Sequence, residues 1–244
     1  MHDVAGHGPA SGSPSEATAG QIADLPVEAG ALSRDVVFSG HIWDIVREGF
    51  TLPAHEGVIS RDFMEHPGAV GVVALDAQGR VLLQRQRRQP VRRELWEVPA
   101  GLLDVEGEAG LTGAQRELYE EADLTAATWN VLVDLFNSPG SSSEAIRVYL
   151  ARDLEVVPEE LRHHRTEEEA GMPAVWLSLD EALDAVLSGR VGNPTTVAGV
   201  LALAANVSTG YSRLRPADAP WDARPAAGGP GETFVVPGAK DPLG

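Results

Sequence analysis

The sequence predicts an α+β fold, or an α/β/α sandwich on a mixed sheet, and three observations lead to this prediction. Short segments alternate apolar and polar residues, which indicates half-buried strands. Other segments repeat apolar residues at helical spacing. Several strands follow one another without the helical crossover that a parallel doubly wound sheet requires. We therefore expect helices to pack against a mixed sheet.

The elements can be assigned in chain order from these patterns. A turn signal at Ala77, Gln78 and Gly79 joins two apolar runs and predicts a hairpin. The predicted strands are residues 35–48, 50–59, 70–75, 81–86, 95–98, 129–135, 145–151 and 174–177, and the predicted helices are residues 112–122, 179–187 and 195–205. The first two strand segments precede the rest as an N-terminal antiparallel segment.

Composition divides the chain into four parts. Residues 1–34 are rich in Gly, Ala, Ser and Pro without periodicity, and such a segment buries too little apolar surface to offset its ordering entropy. We expect it to be a disordered tail, and we expect the same of residues 226–244. Between the tails lie an N-terminal strand segment at 35–61 and a main domain at 62–225.

Charge and composition exclude several classes of function. The formal net charge of -17 opposes binding to nucleic acid and to anionic membranes. The absence of cysteine excludes disulfides, zinc–thiolate sites and thiol catalysis. Residues 1–15 lack the basic and apolar parts of a signal peptide, and the longest apolar stretch, at 197–207, is too short to cross a bilayer. We therefore expect a cytoplasmic protein without nucleic-acid or membrane partners.

The helix at 112–122 places apolar and acidic residues on adjacent faces. Thr112 and Gln115 have the spacing of a capping box, so we expect the helix to begin at Thr112. Ala114, Leu118 and Ala122 form one apolar stripe that should face the core. The acidic residues of the helix then lie beside the buried stripe.

Three glutamates, Glu117, Glu120 and Glu121, fall on an arc of about 100° next to this stripe. Like charges at helical spacing repel, and a bound cation would relieve the repulsion. The alternative is an acidic helix face that is simply solvated. The preceding segment favours the cation, because a strand ends in the Pro/Gly turn at 98–104 and Glu108 ends a further loop. Oxygen ligands at this density suit Mg²⁺ or Mn²⁺ rather than zinc, and such a metal would bridge phosphate oxygens and activate water.

The segment at 101–124 resembles the signature of the Nudix hydrolases, G-x5-E-x7-R-E-U-x-E-E-x-G-U, in which U is aliphatic. The matching positions are Gly101, Glu108, Arg116, Glu117, Leu118, Glu120, Glu121 and Leu124. The segment departs from the signature twice: six residues rather than five separate Gly101 from Glu108, and Asp123 replaces the last glycine. That glycine usually caps the helix in the left-handed conformation, which Asp also tolerates.

This resemblance implies a Nudix catalytic domain at 62–225 and gives the motif residues their roles. Glu117 and Glu121 would bind Mg²⁺ (or Mn²⁺) together with the carbonyl oxygen of Ala100. Glu120 would be a further ligand or would orient the others. Arg116 would hold the glutamates in place through salt bridges.

Two features outside the motif resemble the ADP-ribose pyrophosphatase branch of this family. The run at 86–88 (Q-R-R) precedes the run at 95–101 (L-W-E-V-P-A-G), and together they resemble Q-Y-R…W-E-x-P-A-G. Pro139 and Gly140 lie downstream, and Pro139 comes sixteen residues after Asp123, where the branch carries a proline marker. The alternative for this pair is a simple turn.

The same branch implies substrate contacts and a catalytic base. The candidates for substrate binding are Arg88, Glu97, Pro139 and Gly140. A glutamate on a late loop acts as base or metal ligand in this branch, and the acidic run at 167–169 lies on such a loop. Glu169 is the preferred candidate and Glu168 the second, although a solvated acidic loop is the simpler explanation.

The resemblance thus implies Mg²⁺-dependent hydrolysis of ADP-ribose to AMP and ribose 5-phosphate. Two alternatives stay open: another nucleoside diphosphate sugar or a dinucleotide as substrate, or a Nudix ligand sensor without catalysis. In this branch an N-terminal strand segment such as 35–61 joins two subunits, so we also expect a homodimer.

Overall fold

The computed structural model describes residues 22–27, 30–165, 171–224, 227–228 and 234–239. Within these residues the chain forms three sheets and three α-helices. The strands are β1 (Ser33–Ser39), β2 (Asp44–Phe50), β3 (Ile59–Glu65), β4 (Ala69–Ala74), β5 (Arg80–Arg88), β6 (Arg93–Glu97), β7 (Ala100–Leu102), β8 (Leu124–Phe136), β9 (Ala145–Val156), β10 (Ala174–Ser178) and β11 (Arg215–Pro216). The helices are α1 (Gly110–Ala122), α2 (Leu179–Leu187) and α3 (Pro194–Val207).

A five-stranded sheet forms the centre of the molecule, in the order β11-β8-β9-β4-β7. β4 pairs with β9 in parallel and with β7 in antiparallel orientation, and β8 pairs with β9 in antiparallel orientation. The sequence of β4 is Ala-Val-Gly-Val-Val-Ala, and its lack of polar side chains suits a strand that is covered on both faces. The sheet is therefore mixed, as predicted.

Successive side chains of β4 point to opposite faces of this sheet, and a different helix covers each face. Val72 lies in the same buried cluster as Leu118 of α1. Val73 lies with Val148 of β9 and Leu203 of α3 in a second cluster. Because strand side chains alternate between faces, the two clusters are the two cores of an α/β/α sandwich. The predicted fold class is confirmed.

A smaller sheet, in the order β10-β5-β6, packs with α2 beside the central sheet. Helix α2 begins with a capping box in which Ser178 and Glu181 exchange hydrogen bonds, and it has the predicted bounds. Its apolar face, including Ala182 and Val186, is buried against α3. Of the helices that the structure describes, none has the length and apolar character needed to span a membrane.

The predicted hairpin at 70–86 has the correct turn but the wrong pairing. Gly79 has a φ of 74°, and the side chain of Asp76 accepts hydrogen bonds from two amides of the turn. Apart from a bridge between Leu75 and Val81, however, β4 pairs with β7 and β9, and β5 pairs with β6 and β10. The turn signal is local, whereas the strands that pair with β4 and β5 lie later in the chain.

The N-terminal sheet, in the order β1-β2-β3, differs from the prediction in its second half. Residues 35–48 contain β1 and β2, which are separated by a short turn. The predicted strand at 50–59 is wrong, because turns and bends occupy most of it and β3 follows. Pro53 and Gly57, which has a φ of 97°, interrupt the apolar alternation there. β3 also runs across the predicted boundary after residue 61.

The segment after α3 returns to the core. Trp221 is 3% exposed and Ala227 is 4% exposed, and both belong to the cluster that includes the apolar face of α1. Phe234 packs against the ring of Tyr119, with the ring centroids 5.3 Å apart. Ala227 and Phe234 lie within the predicted C-terminal tail and contact the rest of the chain, whereas the disorder of 226–244 as a whole stays a prediction. Composition misses these contacts because the apolar anchors are single residues separated by Gly and Pro.

Arg147 holds the returning segment in place. Its buried guanidinium forms a bidentate ion pair with Asp134, at 2.7 and 2.9 Å, and donates to the carbonyl oxygens of Ala219 and Pro220. It also lies over the Trp221 ring, 4.8 Å from the centroid. Burial would raise the pKa of Asp134, but the hydrogen bonds and charges of neighbouring arginines outweigh burial and lower that pKa.

Replacing this buried guanidinium should cost much more than replacing an exposed one. We expect Arg147→Met to lower the free energy of unfolding by about 3 kcal/mol, because two carbonyls lose their charged donor and the half-buried Asp134 carboxylate keeps, among the described residues, only its pair with Arg215. Arg80, whose pair with Asp76 is partly exposed, is the control, and Arg80→Met should cost about 1 kcal/mol or less. Urea unfolding followed by circular dichroism measures both. Equal losses in the two variants would contradict this account of Arg147.

Candidate active site

Helix α1 begins at Gly110, before the predicted start. The N-cap residue is Ala109, whose side chain cannot accept a hydrogen bond, so the predicted capping box at Thr112 and Gln115 is wrong. The side-chain oxygen of Gln115 instead accepts a hydrogen bond from the Phe234 amide at 3.0 Å. A Cβ at Gly110 would lie 3.0 Å from the hydroxyl of Tyr149, so the helix starts where the backbone is pressed against the core.

The predicted apolar stripe of α1 faces the core. Ala114 and Leu118 are fully buried, and Ala122 packs against the same cluster. After the stripe ends, Asp123 takes the left-handed conformation with φ 54° and ψ 37°. Its amide donates to the carbonyl oxygens of Leu118 and Tyr119, so Asp123 forms the helix cap that the motif assigns to glycine.

Arg116 contacts three carboxylates beside the stripe. Its Nε and Nη2 donate to the two carboxylate oxygens of Glu108 at 2.9 and 3.0 Å. Its Nη1 donates to Glu117 Oε1 at 2.6 Å and to Glu120 Oε2 at 3.1 Å. The hydrogen bonds to Glu108 raise the pKa of Arg116, and the charges of the three glutamates add to this effect against the opposing effect of burial. Despite the additional loop residue before it, Glu108 therefore contacts the same guanidinium as Glu117 and Glu120.

Strand β7 lies across the acidic face of α1. Antiparallel pairing with β4 holds Ala100 and Gly101 there. The Ala100 amide donates to Glu121 Oε2 at 3.0 Å. The Glu117 carboxylate occupies the space that a side chain at Gly101 would need, because a Cβ there would lie 1.9 Å from Glu117 Oε1. The glycine at this position is therefore required by a close approach of the carboxylate.

The donor set of this acidic cluster fits a divalent cation that prefers oxygen ligands. Glu108, Glu117 and Glu120 share one guanidinium, and Glu121 adds a further carboxylate on the same helix. Among the described residues, no three acidic or imidazole side chains converge on one ion position. Glu117 and Glu120 instead lie against Arg116, at 2.6 and 3.1 Å. A cation at this site must compete with Arg116 for these carboxylates.

A cavity of about 440 Å³ opens beside β7. Its wall includes Ala100 and Gly101 together with two predicted substrate-binding residues, Arg88 and Glu97. Arg88 and Glu97 form a bidentate ion pair at 2.9 and 2.7 Å, and the Glu97 side chain is only 5% exposed. A fork-to-fork pair of this kind fixes the plane of the guanidinium in the cavity wall.

The structure places Pro139 and Gly140 away from the wall of this cavity, as exposed turn residues. The same loop contributes Asn137 and Glu144 to the wall instead. Ser138 has a φ of 55°, and the turn that begins there carries Pro139 and Gly140 outwards. Their contact with a substrate stays a prediction.

Glu168 and Glu169, the candidates for the catalytic base, lie outside the described residues. The role of either glutamate as base therefore stays a prediction.

The cavity wall also contains polar residues that lie outside the motif, among them His66, Asn137 and Glu144. Asn137 Nδ2 donates to Glu144 Oε2 at 2.6 Å, and the other oxygen of Glu144 lies 3.8 Å from His66 Nε2. The Gly68 amide donates to His66 Nδ1 at 3.0 Å. Burial lowers the pKa of His66, although the charge of Glu144 acts in the opposite direction. The nearby Pro139 marker is a weak signal for Asn137 and Glu144, and the sequence around His66 carries no comparable signal.

Comparison with known proteins identifies the family. The chain matches the model of the NUDIX domain over residues 65–195, which is more than half of its length. The chain therefore belongs to the Nudix family. Nudix hydrolases generally need divalent metal ions, in agreement with the oxygen-rich donor set described above.

The proteins that match most of the chain include two relatives named ADP-ribose pyrophosphatase and one solved structure. The chain is 44% identical over 196 residues to the ADP-ribose pyrophosphatase of Mycobacterium tuberculosis, which covers 80% of this chain and 92% of that protein. It is 32% identical over 170 residues to the ADP-ribose pyrophosphatase of Bacillus subtilis, and the match covers 70% of this chain and 89% of that protein. A crystal structure of an ADP compounds hydrolase matches with a TM-score of 0.61 and covers 78% of this chain and 100% of that chain. At 18% identity, this last likeness concerns the fold alone.

A methyl group at Gly101 should disable the site. In Gly101→Ala the Cβ would meet the Glu117 carboxylate at 1.9 Å, so the carboxylate or β7 must move. We expect kcat/KM for hydrolysis to fall at least roughly 100-fold, which a displacement of about 1 Å can cause. Gly192→Ala is the matched control, because a Cβ there meets nothing within 4 Å. Unchanged hydrolysis by Gly101→Ala would show that the Glu117 position does not matter.

Proposed function

We propose that this Nudix hydrolase cleaves ADP-ribose to AMP and ribose 5-phosphate with Mg²⁺. The observation that carries the proposal is the 44% identity to a relative named ADP-ribose pyrophosphatase, in a match that covers 92% of that relative's length. The Bacillus subtilis relative of the same name supports it. The cavity beside the acidic cluster offers a place for a nucleoside diphosphate sugar, and its wall includes the positive charge of Arg88, which is paired with Glu97.

The metal would be held by Glu117, Glu121 and the carbonyl oxygen of Ala100, with Glu120 as a further ligand or as a group that orients them. When bound there, a divalent ion would neutralise pyrophosphate charge and lower the pKa of a coordinated water. This set of oxygen donors suits Mg²⁺, and Mn²⁺ is the alternative. Arg116 keeps the carboxylates close together before the ion arrives.

The other residues of this chain would position the substrate and move a proton. Arg88, oriented by Glu97, would donate hydrogen bonds to a phosphate of the substrate. Glu169, or Glu168 in second place, would accept the proton of the attacking water. The water oxygen forms a bond to one phosphorus, the bridging P–O bond breaks, and the released phosphate keeps the bridging oxygen.

A substrate panel tests the proposal. The purified chain is incubated with Mg²⁺ and ADP-ribose, other nucleoside diphosphate sugars or dinucleotides, and phosphatase-sensitive products are measured. We expect the highest kcat/KM with ADP-ribose. Equal or better hydrolysis of another class of compound would contradict the proposed substrate. Binding of ADP-ribose without products would instead define a ligand sensor.

The metal assignment predicts a loss of activity without a loss of fold. Glu121→Gln keeps an oxygen that can accept the Ala100 hydrogen bond but removes a negative charge, so hydrolysis should fall at least roughly 100-fold. Unfolding in urea without metal should change little, because the variant also removes repulsion between like charges. Glu106→Gln, at an exposed position of the loop before α1, is the control and should remain active. Full activity of Glu121→Gln would end the assignment of Glu121 as a ligand.

We also propose that two copies of the chain associate through the N-terminal sheet. Every residue of β1 is exposed in the single chain, and Val36, Val37 and Phe38 are 48%, 49% and 59% exposed. A second copy would cover these apolar side chains. In such a dimer Pro139 and Gly140, which are exposed here, would contact substrate in the site of the other subunit. The expected cytoplasmic location stays a prediction.

Sedimentation velocity tests this assembly. We expect a dimer at micromolar concentration and a monomer for Phe38→Glu, because a charge at the centre of an apolar interface is costly to bury. Leu187→Glu is the control, since Leu187 is 70% exposed at the end of α2. A monomeric wild-type chain would contradict the proposed dimer.

A further inference from the structure

The last turn of α1 carries Glu120 and Glu121 at the end of the helix where negative charge is least favourable. Carbonyl groups at a helix C-terminus carry partial negative charge, which cations stabilise and carboxylates oppose. This turn of α1 contains no basic residue of its own. A cation that stabilises the turn must therefore come from another segment.

Arg165 supplies such a cation from a segment 45 residues beyond Glu120. Its Nε donates to the carbonyl oxygen of Glu120 at 2.7 Å, and its Nη2 lies 2.7 Å from Asp123 Oδ2. The Arg165 and Asp123 side chains are 27% and 18% exposed, so solvent screens this pair only in part. The carbonyl oxygen of Glu121 is held separately, by Gln84 Nε2 at 3.1 Å.

Asp123 is the residue that replaces the last glycine of the Nudix motif. Its backbone takes the left-handed conformation that glycine would take, and its amide closes the helix in the same way. Its carboxylate also forms the ion pair with Arg165, which glycine cannot do. The departure from the motif therefore adds a contact at the end of the helix that bears the glutamates.

We propose that Arg165 is a positioning residue for the reaction, which acts through the last turn of α1 and is anchored by Asp123. By bonding the Glu120 carbonyl, Arg165 fixes the backbone from which the Glu120 and Glu121 carboxylates project. Without this bond the turn frays more readily, and its carboxylates spend less time in the arrangement that binds a metal. The inference rests on the proposed function, because it takes Glu121 to be a metal ligand.

Arg162 provides a matched control for the charge and size of Arg165. It lies three residues earlier and lines the same cavity of about 320 Å³ beside the end of α1. Its Nε donates to the Val157 carbonyl at 3.2 Å, not to α1. A change at Arg162 therefore removes an arginine from this surface without removing the bond to the Glu120 carbonyl.

Mn²⁺ binding to the full chain, followed by electron paramagnetic resonance, tests the proposal without relying on activity. We expect Arg165→Met to raise the Mn²⁺ dissociation constant about tenfold, the size of effect that outer residues of a metal site have. Arg165→Lys, which keeps the charge but not both contacts, should recover part of the affinity. Asp123→Asn should weaken binding less than Arg165→Met, and Arg162→Met should bind as the wild type does.

Kinetics supply the second readout. In Arg165→Met the Mg²⁺ concentration for half-maximal hydrolysis should rise by a similar factor, while the KM for ADP-ribose at saturating Mg²⁺ stays unchanged. If Arg165 had a purely structural role, Arg165→Met would lower the amount of folded protein. The Mg²⁺ concentration for half-maximal hydrolysis would then not rise relative to the KM for ADP-ribose. If Arg165→Met does not fold, Arg165→Lys and Asp123→Asn decide the test through their own Mn²⁺ affinities.

Two results would overturn the proposal: Mn²⁺ affinity unchanged in the Arg165 variants, or an equal loss of affinity in Arg162→Met. Failure of the proposed function looks different. A wild-type chain that binds Mn²⁺ and shows these differences among variants, yet does not cleave ADP-ribose, would refute the substrate and leave the role of Arg165 intact.

Discussion

Arg116 brings together carboxylates from two parts of the chain, Glu108 from the loop before α1 and Glu117 and Glu120 from the helix itself. Glu117 is only 7% exposed, and a carboxylate so far removed from water is costly without a positive partner. The guanidinium makes such a concentration of negative charge possible on one helix face. Gly101 of β7 lies against the same Glu117 carboxylate that Arg116 contacts.

The fold serves this cluster by holding α1 and β7 against each other. The apolar stripe of α1 is buried on one face of the central sheet, and β7 is the edge strand of that sheet. The acidic face of the helix is thereby turned towards the β7 backbone and the cavity beside it. Arg147 contributes at a distance, because it binds the segment whose Trp221 and Ala227 pack into the same core as α1.

The sequence predicted well those features that depend on neighbouring residues. The fold class, the stripe at Ala114 and Leu118 and the bounds of α2 follow from local periodicity. The predicted start of α1 is wrong, because the helix begins at Gly110, beside Tyr149 of the core, and its N-cap residue Ala109 has no capping side chain. The pairing of β4, the position of β3 and the packing of Ala227 likewise depend on distant partners that no local pattern contains.

In the candidate site too, the sequence predicts what depends on neighbouring residues and misses contacts between distant segments. The motif identifies the residues of the acidic cluster, but it does not indicate that Arg88 is paired with Glu97 or that Arg165 reaches the end of α1. The departures from the motif are accommodated by particular contacts. Glu108 still reaches Arg116 across its longer loop, and Asp123 forms both the cap and an ion pair.

We propose that a divalent ion takes Glu117 and Glu121 as ligands in competition with Arg116. The most direct measurement is a crystal structure with Mn²⁺ and a non-hydrolysable ADP-ribose analogue, in which anomalous scattering locates the metal. We expect Mn²⁺ within about 2.5 Å of carboxylate oxygens of Glu117 and Glu121 and of the Ala100 carbonyl oxygen. An ion bound away from α1, with the pair between Glu117 and Arg116 unchanged, would contradict it.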